Sequence, residues 1–467
     1  MKFQLFPVAA SRHATRFHSD VAGLRSRQAR IFWLLTTGFL IACALLAPLP
    51  SSSADTALTL VQAQRKAVER SRQVSFQDLS VVAAREQAVS AGQLPDPVLK
   101  FGIDNLPVSG ADQFSISRDF MTQRYVGIMQ ELTRSEKRQL RTQRFEREAE
   151  KSLAEKGAMI AVIQRDTALA WLDRYYAEAL EGVIAQQAAE ARQEIVAAEG
   201  AYRAGRGSQA DVLAAHGALG GIQDQASEMG RRTQSAKLAL ARWIGEDAQL
   251  PLGTKPGISA IRFDPEMLSM QLDHHPEIAV YARQEEIAAT EARLARADKT
   301  ADWSVEVTYA QRGSSYGNMM SIGVSVPLQW DQKNRQNRDL SAKLALVDQA
   351  KARREEAVRA HTNEVRSMLA EWDSGRERLA RYERELIPLA KERTRATLSA
   401  YQGGKATLTE LLLARRNEID VRMKAVTLEA EIARLWAQLD FLVPDSGSMP
   451  PAGLPAQPAA NPAKGAK

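Results

Sequence analysis

Ala201-Tyr202-Arg203-Ala204-Gly205-Arg206-Gly207-Ser208-Gln209-Ala210-Asp211-Val212-Leu213 and Ala400-Tyr401-Gln402-Gly403-Gly404-Lys405-Ala406-Thr407-Leu408-Thr409-Glu410-Leu411-Leu412 are two versions of one pattern, at a constant offset (401 − 202 = 199). A repeated block at fixed separation marks a duplicated chain. In each block a helical run stops at Gly, which reaches positive φ without a Cβ clash. Ser208 or Thr407 then stands three residues before Asp211 or Glu410, the reciprocal capping-box spacing. Each block therefore reads as a helix–turn–helix tip.

The chain has 467 residues, of which 25% are charged and only 6% aromatic. That balance suits long solvated helices better than thick globular cores. The net charge of +6 is misleading as a functional signal. Lys2, Arg12, Arg16, Arg25, Arg27 and Arg30 against Asp20 place +5 in residues 1–54, leaving +1 for the rest. A folded domain so nearly neutral carries no nucleic-acid footprint.

Residues 1–54 run from a basic segment through an apolar stretch, Ile31 to Leu49, to Pro50-Ser51-Ser52-Ser53-Ala54, the order of a secretory signal peptide. Ordinary cleavage would fall at Ala54/Asp55. Leu40-Ile41-Ala42-Cys43 offers a second route, because it resembles a bacterial lipobox and would make Cys43 a lipidated N-terminus. An uncleaved anchor is the third. Cys43 is the only cysteine, so no intramolecular disulfide is expected.

The remainder divides into a first repeat, 55–250, a connector with a second repeat, 251–443, and a Pro/Ala-rich tail, 444–467, expected to be disordered. In the first repeat, Leu58 to Gly92 reads as one helix and Leu94-Pro95-Asp96-Pro97 stops it. The period then changes to two: Leu99, Phe101 and Ile103 alternate with Lys100, Gly102 and Asp104, and Val126 and Ile128 with Tyr125, Gly127 and Met129. A proline-free run from Thr133 to Ala204 predicts a helix of about 105 Å, far more than a globular domain needs. After the tip a second helix reaches about Trp243.

The second repeat replays this order. A helix from Pro276 to Asp298 precedes two alternating stretches, Trp303 to Tyr309 and Ser321 to Gln329, apolar on one face and polar on the other, with Trp303, Tyr309 and Trp330 near their ends. Strands that cross an outer membrane read this way. A long helix from Lys333 to Gln402 follows, with a kink expected at Pro388, and a last helix runs to about Val443. Asp96 matches Asp302 (302 − 96 = 206) and Gly127 matches Gly323 (323 − 127 = 196). The fold class is thus mainly α with a membrane β-barrel: a tandem-duplicated protomer of long helices plus four strands. Four strands cannot cross a bilayer as an open sheet, because their edge N–H and C=O groups would be unsatisfied. Barrels begin at about eight strands, so protomers must pool theirs, and three copies give twelve.

The paired motif Tyr-x-x-Gly-x-x-[Ser/Thr]-x-x-[Asp/Glu]-x-Leu, inside a repeated helix–two strands–long helix–tip–helix order, resembles the TolC-type outer-membrane efflux proteins. The resemblance implies a homotrimer whose twelve-stranded barrel continues as a periplasmic α-helical barrel. It also implies a periplasmic adaptor (membrane fusion protein) and an inner-membrane transporter of the resistance-nodulation-division (RND) class as partners. The tips, Tyr202, Gly205, Ser208, Asp211, Tyr401, Gly404, Thr407 and Glu410, would dock the adaptor. A shorter stretch, Leu94-Pro95-Asp96-Pro97-x-Leu99-x-x-Gly102-x-x-Asn105-Leu106-Pro107 with Met121-Thr122 and Gly127-x-Met129-Gln130-Glu131, is similar to CusC/CzcC-like channels that serve heavy-metal pumps. The implied function is a passive exit duct for heavy-metal cations. A duct for drugs or type I secretion is the alternative within the class, and a soluble periplasmic coiled-coil adaptor the alternative outside it.

Glu410 falls at the family position of an acidic ring that narrows the periplasmic aperture, where three close carboxylates would raise one another's pKa. It also serves as the capping-box acid of its own tip. The family's second acidic position is Leu413 here and its tip arginine is Ala406, which weakens any charge-locked gate. Tyr202 and Tyr401 read as tip packing before gating. His274-His275 lack accompanying ligands and do not suggest a metal site. Met121, Met129, Met319 and Met320 read as barrel filling or loop before thioether ligands, and Lys100, Asp104 and Glu306 as lumen lining. No phosphate-binding glycine loop, His-Glu-x-x-His or Gly-x-Ser-x-Gly occurs, so no enzyme, cofactor or catalytic residue is expected.

Overall fold

The computed structural model describes residues 57–262 and 275–442. The leader readings, Cys43, His274 and the tail lie outside those residues. The elements are α1 (Leu60–Arg70), α2 (Arg72–Ala91), β1 (Val98–Asp104), β2 (Gln123–Leu132), α3 (Ser135–Arg203), α4 (Gln209–Ile244), α5 (Pro276–Ala297), β3 (Trp303–Gln311), β4 (Met319–Ser325), α6 (Gln336–Arg381), α7 (Ile387–Gln402) and α8 (Leu408–Asp440). The helix–two strands–long helix–tip–helix order recurs in the two halves of the chain.

Three boundaries differ from the sequence expectation. The first helix is broken at Ser71, whose extended backbone ends α1 and whose hydroxyl accepts from the Val74 N–H to start α2. A serine that caps as well as it continues a helix hides this break. The strand β4 ends at Ser325, so Val326, Leu328 and Trp330 lie beyond it. In the second long helix, Pro388 produces a π-helical turn, Tyr382–Leu386, between α6 and α7. Proline removes one N–H from the ladder, and the widened turn accommodates that loss.

The largest core joins both repeats. Trp171, Leu172 and Tyr176 of α3 pack with Leu240 and Ile244 of α4, Val365 and Trp372 of α6, and Ile432, Trp436 and Leu439 of α8. Trp171 is fully buried, and its indole N–H donates to the Leu58 carbonyl at 3.1 Å. Truncating such a residue costs about 3–5 kcal/mol. Gly375 lets α6 approach α8 closely, since a Cβ there would meet Ile432 at 2.8 Å.

The four strands form one antiparallel sheet in the order β1-β2-β3-β4. Its register pairs Phe101 with Val126, Val126 with Tyr309, and Tyr309 with Met320; one row over, Leu99, Ile128, Val307 and Ile322 align. Directly opposed residues share a face, so the four alternations fall in phase. One face is apolar throughout its middle, with Phe101 78% and Ile322 68% exposed in the protomer. The other carries Lys100, Asp104, Gly127, Glu306 and Thr308.

Candidate functional site: the paired tips and the membrane sheet

The two tips are built alike. At the first, Gly205 has φ +70, the Arg206 N–H donates to the Ala201 carbonyl at 2.9 Å, and the Gly205 N–H to Tyr202 at 3.0 Å. At the second, Gly404 has φ +69, with Lys405 donating to Ala400 at 2.8 Å and Gly404 to Tyr401 at 2.9 Å. Both chains then leave through reciprocal capping boxes. Ser208 donates its N–H to the Asp211 carboxylate at 2.8 Å, and Thr407 donates its N–H to Glu410 at 2.7 Å. The return bonds, from the Asp211 and Glu410 N–H groups to the two hydroxyls, are 3.2 Å each.

These bonds fix the electrostatics. The backbone N–H and hydroxyl of Thr407 hold the exposed Glu410 carboxylate below its ordinary pKa, and those of Ser208 do the same for Asp211. Within one protomer Glu410 is thus a stabilised anion. Hydrogen bonding here acts opposite to the upward shift expected of a like-charge ring.

The tips lie side by side and are not equivalent in packing. Leu408 and Leu411 of α8 are buried with Ile195 and Ala198 of α3 and Ala215 of α4, and Tyr401 packs on the edge of this cluster. Burial and the Asp211 carboxylate raise the Tyr401 phenol's pKa, which ties the second tip's tyrosine to the first tip's acid. Tyr202 is 49% exposed, so the packing expected of both tyrosines describes Tyr401 alone. The replacement of Leu408 by Gln209 in the first tip explains the asymmetry: with no apolar side chain there, Tyr202 has no comparable cluster to join.

Behind the tips sits an ion cluster that charge patterning did not single out. Arg415 of α8 contacts Glu190 at 2.6 Å and Glu194 at 2.9 Å on α3, and Glu418 at 3.2 Å on its own helix. Glu194 and Glu418 have side chains only 5% and 7% exposed. Burial raises the pKa of Glu194, and its bond to Arg415 opposes the shift.

On the polar face of the sheet, Lys100 of β1 reaches Glu306 of β3 at 2.7 Å. The intervening strand presents Gly127, where a Cβ would collide with the Thr308 hydroxyl at 2.6 Å, so the missing side chain leaves the gap that the pair spans. The methionines do not converge. Met129 is paired with Glu306 and Met319 with Ala310, four positions apart on β3, or roughly 13 Å. Met320 faces the apolar side and Met121 lies in the β1–β2 loop. Among the described residues no group of three metal-ligating side chains occurs. His275 caps α5, its Nδ1 accepting from the Glu277 N–H at 3.3 Å, and its ring lies 4.2 Å from that of His361.

Below the sheet, the Lys137 ammonium, 4% exposed, contacts Asp302 at 2.8 Å and Asp298 at 3.4 Å, and the second Asp302 oxygen accepts the Arg134 N–H at 3.0 Å. This knot ties the exit of β2 to the start of β3. Lys137 and Arg134 offset the burial of the Asp302 carboxylate and hold its pKa below the ordinary value.

The site thus combines a sheet with one continuous apolar face and long helices that end in paired tips. Residues 267–443 match the family model described as outer membrane efflux protein. Among solved structures, the chain is similar to the outer-membrane channel OprN at 18% identity and TM-score 0.68, covering 83% of this chain and 90% of that one. It is similar to CusC at 15% identity and TM-score 0.70, covering 83% and 92%. It is also similar to the outer membrane protein VceC from Vibrio cholerae at 18% identity and TM-score 0.66, covering 82% and 95%. No curated protein matches by sequence. Over residues 267–443 the chain thus resembles outer membrane efflux proteins, and over most of its length it has the fold of the solved outer-membrane channels.

Proposed function

We propose that three copies close their strands into a twelve-stranded barrel continued by a periplasmic helical tunnel, and that this tunnel is the passive exit duct of a tripartite efflux system. The observation that carries the reading is the sheet itself. Its apolar face suits lipid, yet β1 and β4 each leave an outer edge unpaired in the protomer, which hydrocarbon does not tolerate. In this reading the tips, Tyr202, Gly205, Ser208, Asp211, Tyr401, Gly404, Thr407 and Glu410, receive a periplasmic adaptor that links the duct to an inner-membrane RND transporter. Glu410, anionic and exposed, supplies three charges at the aperture and favours cation entry.

The cargo proposed is heavy-metal cations. Its support is the short strand-region similarity to CusC/CzcC-like channels together with the fold shared with CusC. The likeness to OprN and VceC keeps a drug or secretion duct as the alternative. Deleting the gene is expected to raise intracellular copper, zinc or cadmium on metal challenge, measured by elemental mass spectrometry, while dye retention stays at the parental level. Raised dye with unchanged metal would overturn the metal branch, and no change in either would overturn the efflux role.

A further inference from the structure

The duplication makes the seam inside the protomer a template for the seam between protomers. Inside, β2 lies beside β3 with Gly127 opposite Thr308, and Lys137 after β2 bridges Asp302 before β3. The second-repeat equivalent of β2 is β4, at the offset of 196, and the first-repeat equivalent of β3 is β1, at the offset of 206. Carried across, these offsets place Gly323 (127 + 196) opposite Gly102 (308 − 206), and the bridging lysine at 333 (137 + 196) opposite Asp96 (302 − 96 = 206). Position 333 is a lysine. Asp96 and Lys333 are both exposed, and among the described residues neither has an ion-pair partner within the protomer.

We infer that β4 of one protomer pairs with β1 of a second copy in the register Gly323 to Gly102, and that Lys333 and Asp96 form an ion pair across this seam. The inference rests on the trimeric reading and adds to it which residues meet. The register sets Val324 opposite Phe101 and Ile322 opposite Ile103, apolar against apolar. Ser325 falls opposite Lys100, polar against polar. A one-residue slip would put lipid-facing residues against lumen-facing ones. A two-residue slip keeps the faces, and only the Asp96–Lys333 pair discriminates against it. By analogy with Lys137, which is buried against Asp302, the seam pair becomes enclosed when the sheet closes and so specifies the register more than an exposed pair would.

The test uses the full chain in mild detergent, with subunit number measured by light scattering. Asp96→Lys and Lys333→Asp are each expected to lower the trimer-to-monomer ratio about tenfold, since three identical seams lose the pair together, and the double charge swap to restore it within about threefold. A double variant no better than the singles would overturn the ion pair. Oxidative cross-linking checks the register independently. Val324→Cys with Phe101→Cys is expected to give covalent oligomers at least about fivefold more readily than Val324→Cys with Leu99→Cys. Single-cysteine variants serve as controls. Preferential cross-linking to Leu99→Cys would overturn the register while leaving the barrel intact, whereas an unmodified chain that never trimerises would overturn the reading beneath it.

Discussion

Arg415→Ala is expected to destabilise the tip-proximal helices by about 3–5 kcal/mol, the cost of leaving buried carboxylates without their cation. Among the described residues Arg415 is the cation in contact with Glu190, Glu194 and Glu418, and two of these acids are almost wholly enclosed. Their desolvation is offset by the fork of N–H donors on Arg415. A loss of this size is a large part of an ordinary folding free energy, so partial unfolding near the tips is the expected phenotype. Arg415→Lys keeps the charge but not the fork and should recover only part of it. The sign of the pH dependence is also fixed. In Arg415→Ala the unpaired carboxylates have raised folded-state pKa values, so the folded state holds their protons more tightly and the deficit shrinks as pH falls through those values. Denaturant midpoints by circular dichroism at pH 7.5 and 5 measure both effects. A loss under about 1 kcal/mol, or a deficit that grows at pH 5, would contradict the account.

The second large effect is expected at His275. Burial chiefly, and the neighbouring His361 next, push the His275 imidazole down to about 4 from its ordinary 6.5, while a backbone hydrogen bond with Leu442 acts the other way. A cavity of about 550 Å³ beside the pair is lined by Arg165 and Asp166 of α3, Glu277 of α5 and Glu364 of α6, among others. The group is neutral when folded, and the unfolded chain takes up a proton below pH 6.5. Stability is therefore lost as pH falls from 6.5 toward 4, by about 3 kcal/mol in full. Carboxylates held low in the fold, Glu291 and Asp302 among them, withdraw their contribution only below their ordinary values of 4.5 and 3.8. Between pH 6.5 and 4.5 the histidine lowers stability as pH falls, while Glu194, held above its ordinary value, acts in the opposite sense. His275→Asn retains a helix-capping acceptor and should flatten the stability profile there. An unchanged slope in that variant would contradict the assignment.

Much of the fold was legible because its signals are local. Two Gly turns followed by Ser/Thr-x-x-Asp/Glu announced the tips, and strict alternation announced the strands; both patterns act through neighbours in sequence. Ser71 and the π turn before Pro388 were less legible, because a serine or a proline inside a helical run is compatible with several backbones. The Arg415 cluster, the Lys137–Asp302 knot and the His275–His361 contact were not legible as sites. Their partners lie far apart in sequence, and a charged residue on a helix reads first as a solvated face. The methionines show the converse: four residues of one chemistry in one region of sequence, which strand parity then separates.

The proposal that three chains share one barrel rests on the apolar face and the unpaired outer edges of the four-stranded sheet. The most direct measurement is the subunit number of the purified full chain in mild detergent by light scattering, with β content followed by circular dichroism. The account predicts three chains per particle and a β signal that survives dilution. A monomer that keeps its four strands ordered with both outer edges free would contradict it.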